Sequence, residues 1–166
     1  MTAMLRTAVV LALLSLAPAP ALAFGGGGGD SSGGDSSGGD AAAQPGAEEL
    51  AKAEKKVKAE KYEEAIPLLE KAIKANPKNA AALNYLGYSH RKLGHVDRAL
   101  NYYNQALAVD PKHRGANEYL GELYLELKQL DKAEERLAVL STACNACEEY
   151  VELKEKVEAF KKGQAS

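Results

Sequence analysis

Tryptophan is absent from this chain, and phenylalanine, methionine and cysteine occur twice each. Two cysteines and three histidines argue against a disulfide-built miniprotein and against a buried zinc cluster, and the histidines lack ligand-pair spacing. An excess of one charge is also missing. Lys plus Arg is 21 and Asp plus Glu is 23, a formal net charge of −2. That balance lacks the concentrated basic surface that nucleic-acid binding needs. The longest apolar run, at residues 8–17, is too short to span a bilayer as a mature helix. No Gly-x-Ser-x-Gly elbow, phosphate loop or His-Glu-x-x-His occurs. The expectation is one non-enzymatic domain, with no cofactor, no metal, no nucleic-acid partner and no stable membrane span.

Residues 1–23 carry the three regions of a secretory signal peptide in order. Arg6 is the positive start, residues 8–17 are the apolar stretch, and Ala21-Leu22-Ala23 supplies small residues for cleavage after Ala23. This predicts a periplasmic or secreted protein. Residues 24–46 follow as a Gly/Ser/Asp-rich stretch, with Ser-Ser-Gly-Gly-Asp occurring twice from Ser31. With almost no apolar side chains it cannot build a core and reads as a flexible linker. A calcium-binding β-solenoid would need a longer repeat with an apolar residue in each turn.

From about residue 47 helix formers dominate, and a period appears. Ala65, Ala99 and Ala133 are 34 apart, as are Leu69, Tyr103 and Leu137, and Ala72, Ala106 and Leu140. Pro77 and Pro111 share that spacing, as do Gly87 and Gly121. Leu83, Leu86, Gly87, His90 and Leu93 form one stripe at helical spacing, and Ala99, Leu100, Tyr103, Ala106 and Leu107 another. Asn76-Pro77 and Asp110-Pro111 end helices, because the residue before proline leaves helical geometry. Pro67 should fall near the first turn of its helix. Each mid-helix Gly costs about 1 kcal/mol against Ala, so Gly87 and Gly121 imply a close approach of the paired helix. Tyr150, Leu153, Val157 and Phe160 give the tail an apolar stripe, predicting a capping helix over 146–162.

Leu83-x-x-Leu86-Gly87-x-x-His90, then Ala99, Tyr103, Ala106 and Pro111, resembles the tetratricopeptide repeat family. The next copy carries Leu120-Gly121-x-x-Tyr124, then Ala133, Leu137 and Leu140. Leu83 and Asn117 stand where that family favours Trp, His90 stands for its Tyr, and the third copy lacks the closing Pro. The resemblance covers about residues 47–144, with repeats at about 46–79, 80–113 and 114–145. It implies an all-α helix-turn-helix solenoid of three pairs plus a C-terminal capping helix. It also implies that a protein or peptide partner binds the inner face, built mainly from the first helix of each pair. Some family members hold a terminal carboxylate with Lys and Asn on that face. Leu50, Glu54 and Glu118 stand where several of those cations would be needed, which disfavours that role.

Asn84, Tyr85, Tyr88, Arg91, Glu118, Tyr119, Glu122 and Glu126 lie off the core stripes of the leading helices and are the candidate groove. Tyr85, Tyr88 and Tyr119 would floor it, since Tyr offers large contact area at low entropy cost. Ordinary repeat packing explains the same tyrosines equally well. Glu118, Glu122 and Glu126, four apart, form an acidic row, read either as a groove wall or as a plain solvated face. Cys144-x-x-Cys147 reads first as a structural bridge in an oxidising compartment, with free thiols and a redox centre as the other readings. The expected function is an envelope scaffold or adaptor binding a polypeptide. A thiol–disulfide redox protein and a self-assembling homo-oligomer are the alternatives.

Overall fold

The structure, a computed structural model, describes residues 44–164. The signal peptide and most of the linker expected from the sequence lie outside the described residues. Seven helices follow in order: α1 (Ala47–Lys58), α2 (Tyr62–Ala75), α3 (Ala80–Lys92), α4 (Val96–Val109), α5 (Arg114–Glu126), α6 (Leu130–Ala143) and α7 (Glu148–Gln164). No strand occurs among the described residues. Helices α1–α2, α3–α4 and α5–α6 are antiparallel pairs, and α7 packs on α5 and α6. The arrangement is a helical solenoid of three pairs closed by a final helix.

Two kinds of turn build it, and both obey the 34-residue period. Within each pair, the chain turns through one left-handed residue: Glu60 (φ 57°), Gly94 (φ 77°) and Lys128 (φ 57°). The same two hydrogen bonds close each turn, as in Gly94 N–H to the Arg91 carbonyl (2.9 Å) and His95 N–H to the His90 carbonyl (2.8 Å). Between pairs, Asn76 and Asp110 adopt extended backbone ahead of their prolines. Their side-chain Oδ1 atoms accept from the amides of Lys78 (3.1 Å) and Lys112 (3.0 Å). Asn79 then caps α3 by accepting from Ala82 N–H (3.0 Å). His113 caps α5 the same way, its Nδ1 accepting from Ala116 N–H (3.2 Å).

The third pair ends differently. Cys144 occupies the register of Asn76 and Asp110, and Cys147 that of Asn79 and His113. The structure pairs their sulfurs across the α6–α7 turn, with Cα atoms 5.5 Å apart. A cysteine pair within the turn thus stands where Asn or Asp with Pro closes the other turns.

The core runs through the stack. Leu69, Leu83, Leu86, Tyr103, Leu120, Leu123, Leu140 and Leu153 are all buried. His90 is buried in it, its ring stacked on Tyr102 with centroids 5.4 Å apart and planes 5° apart. A Cβ on Gly87 would lie 2.6 Å from the Tyr103 ring of its paired helix. Gly121 does not serve its own pair: a Cβ there would lie 2.6 Å from Leu153 of α7. The second glycine therefore seats the capping helix. Pro67 is the sixth residue of α2 rather than part of its first turn. It is exposed there, and α2 forgoes the hydrogen bond its amide would donate.

Candidate functional site

The leading helices α1, α3 and α5, joined by α7, place half-buried tyrosines and charged groups side by side. Tyr85, Tyr88 and Tyr119 line one cleft of about 270 Å³ with Val57, Lys58, Glu60 and Tyr62. Tyr88 is its centre. Its ring lies 6.0 Å edge-on from Tyr62 and 4.7 Å from Tyr119, centroid to centroid. Burial raises the phenol pKa of Tyr62, Tyr85 and Tyr119, with the Glu118 charge adding at Tyr119. These phenols stay neutral at physiological pH. The three sequence-predicted tyrosines therefore meet, and Tyr62, from the start of a trailing helix, joins them.

The acidic row is neither a solvated face nor a free-standing wall. Glu118 and Glu122 are only 4% and 9% exposed, and Glu126 alone is open to solvent. Arg91 of α3 reaches across to the middle and one end of the row. Its Nη1 donates to Glu122, and its Nε and Nη2 donate to Glu126 Oε1 at 3.1 and 2.6 Å. Burial opposes the Arg91 charge, but hydrogen bonds to Glu126 and Glu122 outweigh it and hold the guanidinium protonated. Lys156 of α7 donates to Glu122 from the other side and lies 3.5 Å from Glu152. Glu122 is thus clamped between two cations from two helices.

Glu118 has a different environment. Its carboxyl pKa is pushed up to about 8, first by burial, then by the Glu122 charge and a hydrogen bond with Glu152. At neutral pH this carboxyl carries its proton. Tyr88, Tyr119, Lys92, Glu118, Glu152 and Lys156 are among the residues around a cleft of about 450 Å³. The Lys92 ammonium lies 5.9 Å from the Tyr88 ring centre. Carboxylate oxygens of Glu118, Glu122 and Glu152 come within 4.8 Å of one another, a spacing open to an oxygen-ligated cation. Arg91 and Lys156 already balance the charge at Glu122.

Asn84 is as buried as Glu118. It is 4% exposed, and a Cβ built on Gly115 of α5 would lie 3.1 Å from its Nδ2. It packs under the site, between α3 and α5. The residues that sequence reasoning missed lie mostly on α7. Glu149, Glu152 and Lys156, absent from the sequence-predicted groove, complete its acidic end. A signal was present: Asn84, Glu118 and Glu152 are 34 apart, as are Tyr88, Glu122 and Lys156. The helix that caps the stack also continues the period as a leading helix.

Similar solved structures repeat this architecture. The first TPR of Spaghetti (RPAP3), bound to the HSP90 peptide SRMEEVD, is 21% identical with a TM-score of 0.66, over 75% of this chain and 96% of that one. The Yersinia enterocolitica type III secretion chaperone SycD, in complex with a peptide of the translocator YopD, is 20% identical with a TM-score of 0.60, over 70% and 88%. PcrH in complex with the chaperone-binding region of PopD is 19% identical with a TM-score of 0.62, over 70% and 91%. At these identities the likeness is one of fold. No curated protein matches the sequence. Two family models, each described as tetratricopeptide repeat, match residues 50–94 and 90–157, more than half of the sequence between them. With the helix pairs and the 34-residue turns, these matches show that the chain belongs to the tetratricopeptide repeat family.

Proposed function

We propose that this chain is a non-enzymatic interaction scaffold that holds a polypeptide along the strip formed by α1, α3, α5 and the first half of α7. The tyrosine cleft carries the reading. Four tyrosines from three helices, α2, α3 and α5, converge on one surface, and half-buried aromatic rings are the side chains that dominate binding energy at interfaces. Solved proteins of the same fold hold peptides, as in the HSP90-peptide and YopD-peptide complexes. A signal peptide cleaved after Ala23 would place the scaffold in the periplasm or outside the cell. In that setting Cys144 and Cys147 serve as a structural bridge, since they stand where turn-closing residues stand in the other repeats.

The test is crosslinked co-purification from the envelope fraction, comparing the natural chain with the Tyr85→Ala/Tyr88→Ala/Tyr119→Ala variant. The expected result is a polypeptide recovered with the natural chain and depleted at least tenfold with the variant, at matched helicity. Equal recovery by both moves the site off the tyrosine cleft. Mass spectrometry of the same material checks the export reading: a mature chain starting at Phe24 is expected, and an intact Met1 form in the cytoplasm overturns it.

A further inference from the structure

The α5–α7 end of the strip holds a buried carboxyl with no cation of its own. Among the described residues Arg91 pairs with Glu122 and Glu126, Arg114 with Glu149, and Lys156 with Glu122 and Glu152. None pairs with Glu118, which is 4% exposed and has a carboxyl oxygen within 4.8 Å of one from Glu152. Burial and the neighbouring Glu122 charge keep the proton on Glu118. Tyr119 follows Glu118 in the chain, and its ring lies 4.7 Å from that of Tyr88. Aromatic faces attract cations, and this pair walls the same 450 Å³ cleft as the two carboxyls. Aromatic faces beside two neighbouring carboxyls, of which Glu118 has no ion pair, complement a planar, delocalised cation, which can take two carboxylates at once and stack on a ring.

Resting on the groove reading, we propose that this end of the strip is a pocket for a basic side chain of the bound polypeptide, an arginine above all. Its guanidinium sits between the Glu118 and Glu152 carboxyls, displacing the Glu118 proton, and its stem lies along Tyr88 and Tyr119. The displaced proton leaves to solvent as the ion pair forms. Lys156 remains on Glu122, and Lys92 stays near the Tyr88 ring. The chemistry is opposite to that of the acidic HSP90 peptide SRMEEVD held by the first TPR of Spaghetti.

The experiment titrates the full chain with N-acetyl-argininamide, N-acetyl-lysinamide and N-acetyl-norleucinamide, reading tyrosine ring resonances by NMR. The expected result is saturable shifts at Tyr88 and Tyr119 with the arginine probe, weaker ones with lysine and none with norleucine. With a Glu118 pKa of about 8, the arginine affinity should rise roughly tenfold from pH 7 to pH 9, because binding requires loss of that proton. Glu118→Gln, which keeps the shape and a neutral side chain, should weaken binding and abolish the pH dependence. Glu152→Gln, at a half-exposed site, gives the same readout if Glu118→Gln fails to fold. Equal shifts from norleucine, an arginine response that bypasses Tyr88 and Tyr119, or a pH dependence that survives in both variants overturns the pocket. The groove reading fails separately. A polypeptide that needs the tyrosines but is indifferent to Glu118→Gln sinks the pocket and keeps the groove. Basic probes that bind while no polypeptide depends on the tyrosines do the reverse.

Discussion

At residues 60, 94 and 128 the backbone enters the left-handed region, and only the middle one is glycine. Left-handed geometry costs a residue with a Cβ about 1–2 kcal/mol, and glycine returns part of that as unfolded-chain entropy. Glu60→Gly and Lys128→Gly should each stabilise the fold by roughly 0.5–1 kcal/mol, read as a higher melting temperature. Gly94→Ala should lower it. The capping histidine carries a pH prediction. His113 caps α5 through an unprotonated Nδ1, and burial holds its pKa below the ordinary value. Its folded pKa lies below its unfolded one, so its contribution is complete above about pH 6.5 and is lost as pH falls through the folded value. His90, lowered chiefly by burial, adds in the same direction. His113→Asn, which copies the Asn79 cap, should melt with less acid sensitivity between pH 7.5 and pH 5. Glu118 acts with the opposite sign. Its raised folded pKa gives stability that is complete below about pH 4.5 and fades as pH rises to about 8. None of these effects is legible from residue type alone. Histidine, glutamate and lysine say nothing of φ or burial until the period aligns them.

On the scale of the helix, glycine shows what sequence resolves and what it does not. The repeat spacing marks both Gly87 and Gly121 as close approaches. Only the packing reveals that the partner is Tyr103 of the same pair at one site and Leu153 of α7 at the other. Gly121→Ala gains up to about 1 kcal/mol of helix propensity but presses a methyl into Leu153. Overpacking of this kind costs about 1–3 kcal/mol. The expected net effect is a loss of stability that Leu153→Ala partly relieves, a coupling that a double-mutant cycle of thermal or denaturant melts measures. The α7 stripe is equally divided. Leu153 and Val157 are buried and could be read from their spacing. Glu152 and Lys156, on an adjacent face, could not, because a charged helix face normally means solvent. Their role follows from what α7 lies against, which is a row of carboxylates on α5.

In the whole array, stacking must stop at both ends, since a helix pair cannot cover its own apolar face. At one end α1 presents Lys52 and Lys55 to solvent, with the Lys52–Glu48 pair at 2.6 Å. At the other, α7 exposes Lys154, Glu155 and Glu158. Val109 and Val151 are the large apolar side chains most exposed among the described residues. Charged ends disfavour further stacking, so light scattering of the natural chain at two concentrations tenfold apart should return one monomer mass. A mass that grows with concentration would revive the self-assembling alternative. The architecture was legible because it is periodic. The partner surface was only half legible, because a groove is made where helices meet and its charges are set by neighbours distant in sequence, as Arg91 is from Glu122.

The tyrosine strip has an optical consequence. A chain without tryptophan emits through tyrosine alone, and four of its eight tyrosines line one cleft. With the Tyr88 and Tyr119 rings 4.7 Å apart, excitation can pass between them, and a carboxylate or partner residue brought against either phenol alters the emission of the group. The surface that would hold a partner is therefore its own reporter. A polypeptide containing tryptophan would act as an acceptor on arrival, so occupancy can be followed in the untouched protein by intrinsic fluorescence, without a label.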